Sequence, residues 1–266
     1  MKNYKTKIMG VLNANEDSFF KESRFDSKQA AIKIETMIQN GANVIDIGAV
    51  SSRPGSVAID DNSELQRLRN IVDIIYKEKF YEKVDFSIDS YSPKVIDYVL
   101  NKGFKIVNDI TGLKDDEVCK VCAKYDSKVV IMHMQNNPFN MQEKPKYDDI
   151  IVDIDSFFKK QIKKANNFGI NELILDVGIG FGKNLEHNLT LLKNLEYFKH
   201  FGYELLIGAS RKSMIDMISP SKIEDRLAGT LAIHLESIRN GASIIRCHDV
   251  YEHNQTIKVF EAINNI

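Results

Sequence analysis

Short apolar runs alternate with longer segments whose apolar residues recur every three to four positions, and the alternation continues along the whole chain. The runs at 7–12 (KIMGVL), 43–48 (NVIDIG), 84–89 (VDFSID), 105–109 (KIVND), 128–133 (KVVIMH), 172–176, 203–208 (YELLIG) and 243–247 (SIIRC) have the length and content of buried strands. Between them, Ala30, Ile34, Met37 and Ile38 share a helical face behind the capping candidates Asp26 and Ser27, and Leu65, Leu68, Val72 and Ile75 share another. Further helical patterns fill 93–101, 114–125, 150–168, 185–195, 222–240 and 250–263. Near-continuous apolar strands, each followed by an amphipathic helix, predict an α/β protein with a parallel sheet covered by helices. Eight such units in 266 residues predict a closed (β/α)8 barrel, a single domain over 1–266, in preference to an open doubly wound sheet.

A barrel brings the carboxyl ends of its strands to one mouth, so polar residues should follow the apolar runs. Asn13 follows the first, Ser51, Ser52 and Arg53 the second, Asp89 the third, Asn108 and Asp109 the fourth, His133 the fifth and Asp176 the sixth. Ser210, Arg211 and Lys212 follow the seventh, and Arg246, His248 and Asp249 close the eighth. A lone Asp or Asn at such a junction is more often a helix cap; eight junctions in succession point to a site. The stretch LILDVGIGFGK (173–183) is the centre of this pattern, because Asp176 ends a strand and Gly178, Gly180 and Gly182 leave the backbone bare where a flat or anionic group can approach.

The chemistry divides in two. Asp89, Asn108 and Asp176, with Lys212, offer carboxylate, amide and ammonium groups to the edge of a planar heterocycle bearing N–H donors and a carbonyl. Arg246 and His248, with Arg53 and Arg211, form a cationic set suited to phosphate or carboxylate oxygens. A ligand with a polar ring at one end and an anion at the other would use both.

Composition removes several classes of function. A hydrophobic fraction of 43% provides a substantial core, while a net charge of −1 gives no overall field to attract nucleic acid or a membrane surface. The amino-terminal apolar run is too brief for a signal peptide and no segment suffices to span a bilayer, so the expected location is the cytoplasm. Cys119 and Cys122 form a CxxC without a second Cys/His pair, and with Cys247 they read as reduced thiols, the CxxC lying on a helix face. His187, His200, His234 and His253 are scattered without metal-ligand spacing, which suggests surface or packing roles. No Ser/His/Asp triad, P-loop or HExxH motif is present.

The segments MGVLNANEDSFF, GANVIDIGAVSSRPGS, FSIDSY, IVNDITGL, VVIMHMQNNPFNMQ, LILDVGIGFGKNLEHNLTLL, IGASRKSMI and DRLAGTLAIHLESIRNGASIIRCHD, in this order, resemble the dihydropteroate synthase family of pterin-binding enzymes. The SRK and SSRPG loops separate it from related pterin-binding barrels such as corrinoid-linked methyltransferases, which generally lack them, and Lys212 lies after a strand, not inside it as a Schiff-base lysine would. The resemblance implies a transferase that displaces diphosphate from 6-hydroxymethyl-7,8-dihydropterin diphosphate with 4-aminobenzoate, with Mg2+ as cofactor. It implies that Asp89, Asn108, Met132, Asp176, Phe181 and Lys212 hold the pterin, and that Asn13, Arg246 and His248 hold the diphosphate, Asn13 also binding the metal. Ser52, Arg53, Pro54, Phe181, Lys212 and Ser213 would form the 4-aminobenzoate site, and Asp17, Arg53 and Lys212 the catalytic set, with Asn15, Ser18 and Phe19 in the loop that closes. It further implies a homodimer and sensitivity to sulfonamides. The chain departs from the family pattern at Asn15 and Glu16, where Thr-Pro is common, at Val50 for Glu, Ser52 for Thr and Val177 for Pro. None of these removes a group the reaction needs; a non-catalytic pterin-binding paralogue, the alternative, has only the altered first loop in its favour.

Overall fold

The computed structural model describes residues 4–14, 27–50, 59–137 and 140–265. Strands β1 (Lys7–Asn13), β2 (Val44–Gly48), β3 (Asp85–Asp89), β4 (Ile106–Asp109), β5 (Lys128–Met132), β6 (Leu173–Asp176), β7 (Glu204–Ile207) and β8 (Ile244–Cys247) close into a barrel in sequence order. Every pairing is parallel, including that of β8 with β1. The outer layer consists of α1 (Ser27–Gln39), α2 (Asp61–Lys77), α3 (Pro93–Leu100), α4 (Asp116–Lys124), α5 (Ile150–Asn167), α6 (Leu185–Lys193), α7 (Ser213–Ile218), α8 (Leu227–Arg239) and α9 (Val250–Asn264). The (β/α)8 expectation holds, with each strand within about a residue of its predicted limits.

Two helical boundaries differ. The pattern at 222–240 is a short 3-10 turn, Ile223–Asp225, followed by α8, and α7 occupies a stretch where no helix is expected. At six residues α7 is too short to show a helical period. Elsewhere local chemistry explains the starts: Asp60, Ser92, Asp115, Asp149 and Asn184 each accept a backbone N–H from the first turn of the helix they precede.

Side-chain alternation and register define three inward-facing layers. At the amino-terminal end, Lys7 and Lys128 pair with Glu204 at 2.8 and 3.6 Å. The middle layer is apolar, with Met9, Val44, Ile106, Val130, Ile174, Leu206 and Ile244 forming a buried cluster of their own. One step further along, the same inward faces present Asp46, Asp89, Asn108, Met132, Asp176 and Arg246. The outward strand residues, among them Ile45, Ile47, Ile88, Val107 and Ile131, pack under the helices in the main core. An apolar plug thus lies below a polar floor, so a charged site has an apolar base.

Candidate functional site

The floor is organised around Arg246. Its Nε donates to Asp46 Oδ2 at 2.7 Å and its Nη2 to Asp89 Oδ2 at 2.8 Å, which joins β8 to β2 and β3 across the barrel. Asp46 is fully buried and also accepts from Asn108 Nδ2 at 3.1 Å. Two carboxylates and one guanidinium leave this part of the pocket with an excess of negative groups. Burial pushes the Asp89 carboxyl up to about 7, with Arg246 opposing and Asp46, Glu64 and Asp109 reinforcing. The same carboxylates raise the Arg246 guanidinium pKa against the effect of its burial.

Asp176 ends β6 on the other side of the floor, where its Oδ1 accepts from the Gly178 N–H at 2.8 Å. Burial raises its pKa, opposed by that hydrogen bond and by Lys212, Lys183 and Arg246. The loop that follows is held by its own carbonyls, one donor to each. Ile179 O accepts from Lys212 Nζ, Gly180 O from Gln142 Nε2 at 2.8 Å, Phe181 O from Lys183 Nζ at 2.9 Å and Gly182 O from Tyr147 Oη at 2.7 Å. Alternating left-handed glycines at 178, 180 and 182 turn successive carbonyls toward different neighbours.

The bare faces of these glycines are occupied by the protein itself, which corrects the expectation of a ligand there. A Cβ on Gly178 would collide with the His133 carbonyl, one on Gly182 would lie about 3.0 Å from Gln135, and one on Gly180 2.9 Å from the Lys212 side chain. What the loop offers a ligand is the Phe181 ring, against the Met132, Met134 and Met141 cluster, with Lys212 Nζ 4.1 Å from its centroid. Burial lowers the Lys212 ammonium to about 8, opposed by Asp176. Lys183, buried behind the loop, also donates to His133 Nδ1 at 3.1 Å and is pushed down to about 7 by burial, Asp176 again opposing.

The rim is formed by the next loops. Arg211 adopts φ 58 and clasps Asp249 through Nε at 3.0 Å and Nη2 at 2.6 Å, and Ser210 Oγ lies 2.9 Å from His248 Nδ1. Asn13 and His248 are exposed and border an open groove of about 510 Å3 between α1 and the start of α9, which none of the floor residues line. Ser213 is exposed at the start of α7. The structure therefore gathers Asp89, Asn108, Asp176, Met132, Phe181, Lys212 and Arg246 at the floor and puts Asn13 and His248 at the rim. Arg246, grouped with the cationic set from sequence, has its guanidinium among the floor carboxylates instead. Asn15, Asp17, Ser18, Phe19, Ser52, Arg53 and Pro54 lie outside the described residues.

Sequence reasoning missed Asp46 and Lys183. The signal for Asp46 was an acid inside the apolar run VIDIG, where only a paired charge survives burial. Cys119 and Cys122 are buried on α4 as expected, and the described residues contain no cluster of three or more His, Cys, Asp or Glu able to hold a metal. His234 and His253, expected to be scattered, are instead in contact, their Nδ1 and Nε2 atoms 2.8 Å apart, because α8 and α9 pack side by side.

A parallel (β/α)8 barrel with carboxylates, an amide, a lysine and an arginine gathered at the carboxyl ends of its strands is the architecture of a barrel enzyme, and the comparisons agree. The pterin binding enzyme family model matches residues 9–248, so the chain belongs to the pterin binding enzymes. Within them it is similar to dihydropteroate synthases. It is 43% identical over 256 residues to the bifunctional dihydropteroate synthase/dihydropteroate reductase of Helicobacter pylori, covering 96% of this chain and 67% of that protein. The Yersinia pestis dihydropteroate synthase in complex with a sulfonamide drug superposes with a TM-score of 0.91 at 36% identity, covering 100% of this chain and 97% of that one. The Thermus thermophilus dihydropteroate synthase in complex with 4-aminobenzoate gives 0.87 at 31% identity, covering 99% and 96%.

Two outcomes are expected from this geometry. Gly178→Ala meets both a left-handed φ of 70° and the His133 carbonyl, whereas Gly169→Ala meets only a φ of 85° in open space. In urea unfolding the first should cost at least about 3 kcal/mol and the second about 1 kcal/mol; equal costs would mean that the carbonyl contact is unimportant. The second concerns Asp89. An unfolded Asp titrates at about 4 and the folded Asp89 at about 7, so between these values the folded state holds the extra proton and stability falls as pH rises. Asp89→Asn lacks that fall, so its stability relative to the unsubstituted protein should rise by on the order of a few kcal/mol from pH 4 to 7. A difference independent of pH would contradict the burial penalty.

Proposed function

We infer that the protein is a dihydropteroate synthase, a transferase of folate biosynthesis that joins 6-hydroxymethyl-7,8-dihydropterin diphosphate to 4-aminobenzoate and releases diphosphate. The observation that carries this reading is the floor of buried Asn108 and Asp176 and part-buried Asp89 meeting Lys212 and Arg246, with His248 on the rim above. Asp89 and Asp176 accept from the N–H groups of the pterin edge. Asn108 has given its amide N–H to Asp46, which leaves its Oδ1 for the ring. Lys212 donates to the ring, and Met132 and Phe181 pack against it.

Arg246 and His248 offset the charge of the departing diphosphate, and Asn13 ends β1, the strand paired with the one that carries Arg246. A single amide oxygen beside a diphosphate suits Mg2+, which takes one or two protein ligands and keeps its waters, and when bound there it supplies charge stabilisation to the leaving group. In the reaction the C–O bond to diphosphate breaks, the arylamine forms the C–N bond, and its proton passes to solvent. No covalent nucleophile on the enzyme is required. The catalytic set of Asp17, Arg53 and Lys212, with Ser52, Pro54, Phe181 and Ser213, positions 4-aminobenzoate and excludes water, Arg53 pairing with its carboxylate. The same subsite makes the protein a sulfonamide target.

The described residues contain no helix long and apolar enough to cross a membrane. The protein works in the cytoplasm as a homodimer, paired through Leu189 of α6, Met217 and Ile218 of α7 and the neighbouring Ile223, all between 44 and 62% exposed. Replacing Met217 and Ile218 together by Lys should convert a sedimenting dimer to monomer; an unchanged sedimentation coefficient would exclude this face.

Diphosphate release by the purified protein with the pterin diphosphate and Mg2+ should depend on 4-aminobenzoate and yield dihydropteroate in equal amount. Pterin binding without product would overturn the synthase reading. Asp176→Ala should weaken pterin binding by about 2–5 kcal/mol, whereas Arg53→Ala should chiefly raise the KM for 4-aminobenzoate. Equal loss of both substrates in both variants would refute the division of the site.

A further inference from the structure

The two histidines buried behind the rim are the strongest feature left unused by this account. His234 on α8 and His253 on α9 are each 1% exposed. The Ala209 N–H donates to His234 Nε2 at 3.1 Å, the two rings meet at 2.8 Å through His234 Nδ1 and His253 Nε2, and His253 Nδ1 lies 2.6 Å from the Asp249 carbonyl. Backbone chemistry at the two ends fixes every proton between them. An amide N–H can only donate, so His234 Nε2 is bare and its Nδ1 carries the hydrogen. His253 Nε2 must then accept, and its own Nδ1–H donates to the carbonyl, which can only accept. One arrangement satisfies the chain, and both rings are neutral in it. An added proton on either ring would set two N–H groups against each other. The charged groups around the pair are Lys212 near His234 and Asp249 and Glu252 near His253, and burial keeps both imidazoles below their usual pKa.

The ends of this chain are the two rim loops. Ala209 immediately precedes Ser210, Arg211 and Lys212, and Asp249 follows His248 and clasps Arg211. We propose that His234 and His253 are positioning residues that lock the loop after β7 to the loop after β8 through a single-tautomer hydrogen-bond chain, and so set Lys212 and the Ser210–His248 pair for the reaction. The catalytic consequence rests on the synthase reading, whereas the tautomers can be read in the ligand-free protein, so the two fail separately.

The test uses the full-length protein. In 15N NMR of the imidazoles, His234 should be bare at Nε2 and protonated at Nδ1, His253 likewise bare at Nε2 and protonated at Nδ1, with neither titrating between about pH 5.5 and 8.5. The opposite tautomer, or titration in that window, would overturn the proposal. His253→Leu should speed hydrogen exchange at the Ala209 amide and lower kcat/KM for 4-aminobenzoate at least about tenfold when assayed well below its Tm. His253→Gln, whose Oε1 can accept where Nε2 did, should recover kcat/KM to within about threefold, and it also serves should the leucine variant fail to fold. A lowered Tm with unchanged kcat/KM in His253→Leu, or no recovery with Gln in a folded protein, would reduce the pair to a packing role and refute the proposal.

Discussion

The Arg246 guanidinium shared by Asp46 and Asp89 is the contact on which the pocket depends. Asp46 is fully buried and Asp89 partly so, and an unpaired carboxylate is costly in an apolar barrel. Removing one member of such a group commonly costs 3–5 kcal/mol, because the remaining charge is left unpaired. The contact therefore fixes more than itself. It ties β8 to β2 and β3, and through Asp46 it holds the Asn108 amide of β4, so four strands agree on the position of one pocket wall before any ligand arrives. Preorganisation of this kind avoids the cost of turning dipoles during the reaction.

The opposite wall achieves the same rigidity by different means. Asp176 is braced by the Gly178 N–H, and four consecutive carbonyls of the glycine loop are each tied by a side-chain donor, three from other parts of the chain and one from Lys183 of the loop itself. A loop of this composition would ordinarily be costly to order, since glycine loses the most backbone freedom on folding. Here side chains from β5's following loop, α7's amino-terminal edge and Lys183 offset that cost. The result ties Lys212 to the loop that carries Phe181, although both residues lie outside the strands.

The period of the apolar runs made the barrel legible, because each strand is buried on both faces and each helix on one, and the order of polar residues after the runs pointed to the mouth. Asp89, Asn108, Asp176 and Lys212 were legible for that reason. Asp46 was not, because it stands one step inside its strand, where pattern reading assigns an apolar residue and only the register across β1, β2 and β8 reveals its partner. The roles of the glycines were misread, since sequence shows that a Cβ is missing but not which neighbour needs the space. The His234–His253 contact depends on how α8 and α9 pack, and no spacing within either helix carries that information.

The floor is lined by carboxylates held against cations, and such a paired arrangement suits a reaction that separates charge. As the bond to diphosphate lengthens, positive charge develops on the pterin side and negative charge on the leaving group. On the proposed reading the pterin side meets Asp89 and Asp176, and the leaving group meets Arg246, which Asp46 and Asp89 hold within the floor, and His248 on the rim. Burial makes each of these groups more effective than it would be in water, because the low local dielectric strengthens its field. An arylamine that is already nucleophilic then needs no activation, only the correct place to stand. A fixed field along one axis and two positioned loops can supply the catalysis without a nucleophilic side chain, which is why the sequence contains no triad and still encodes an enzyme.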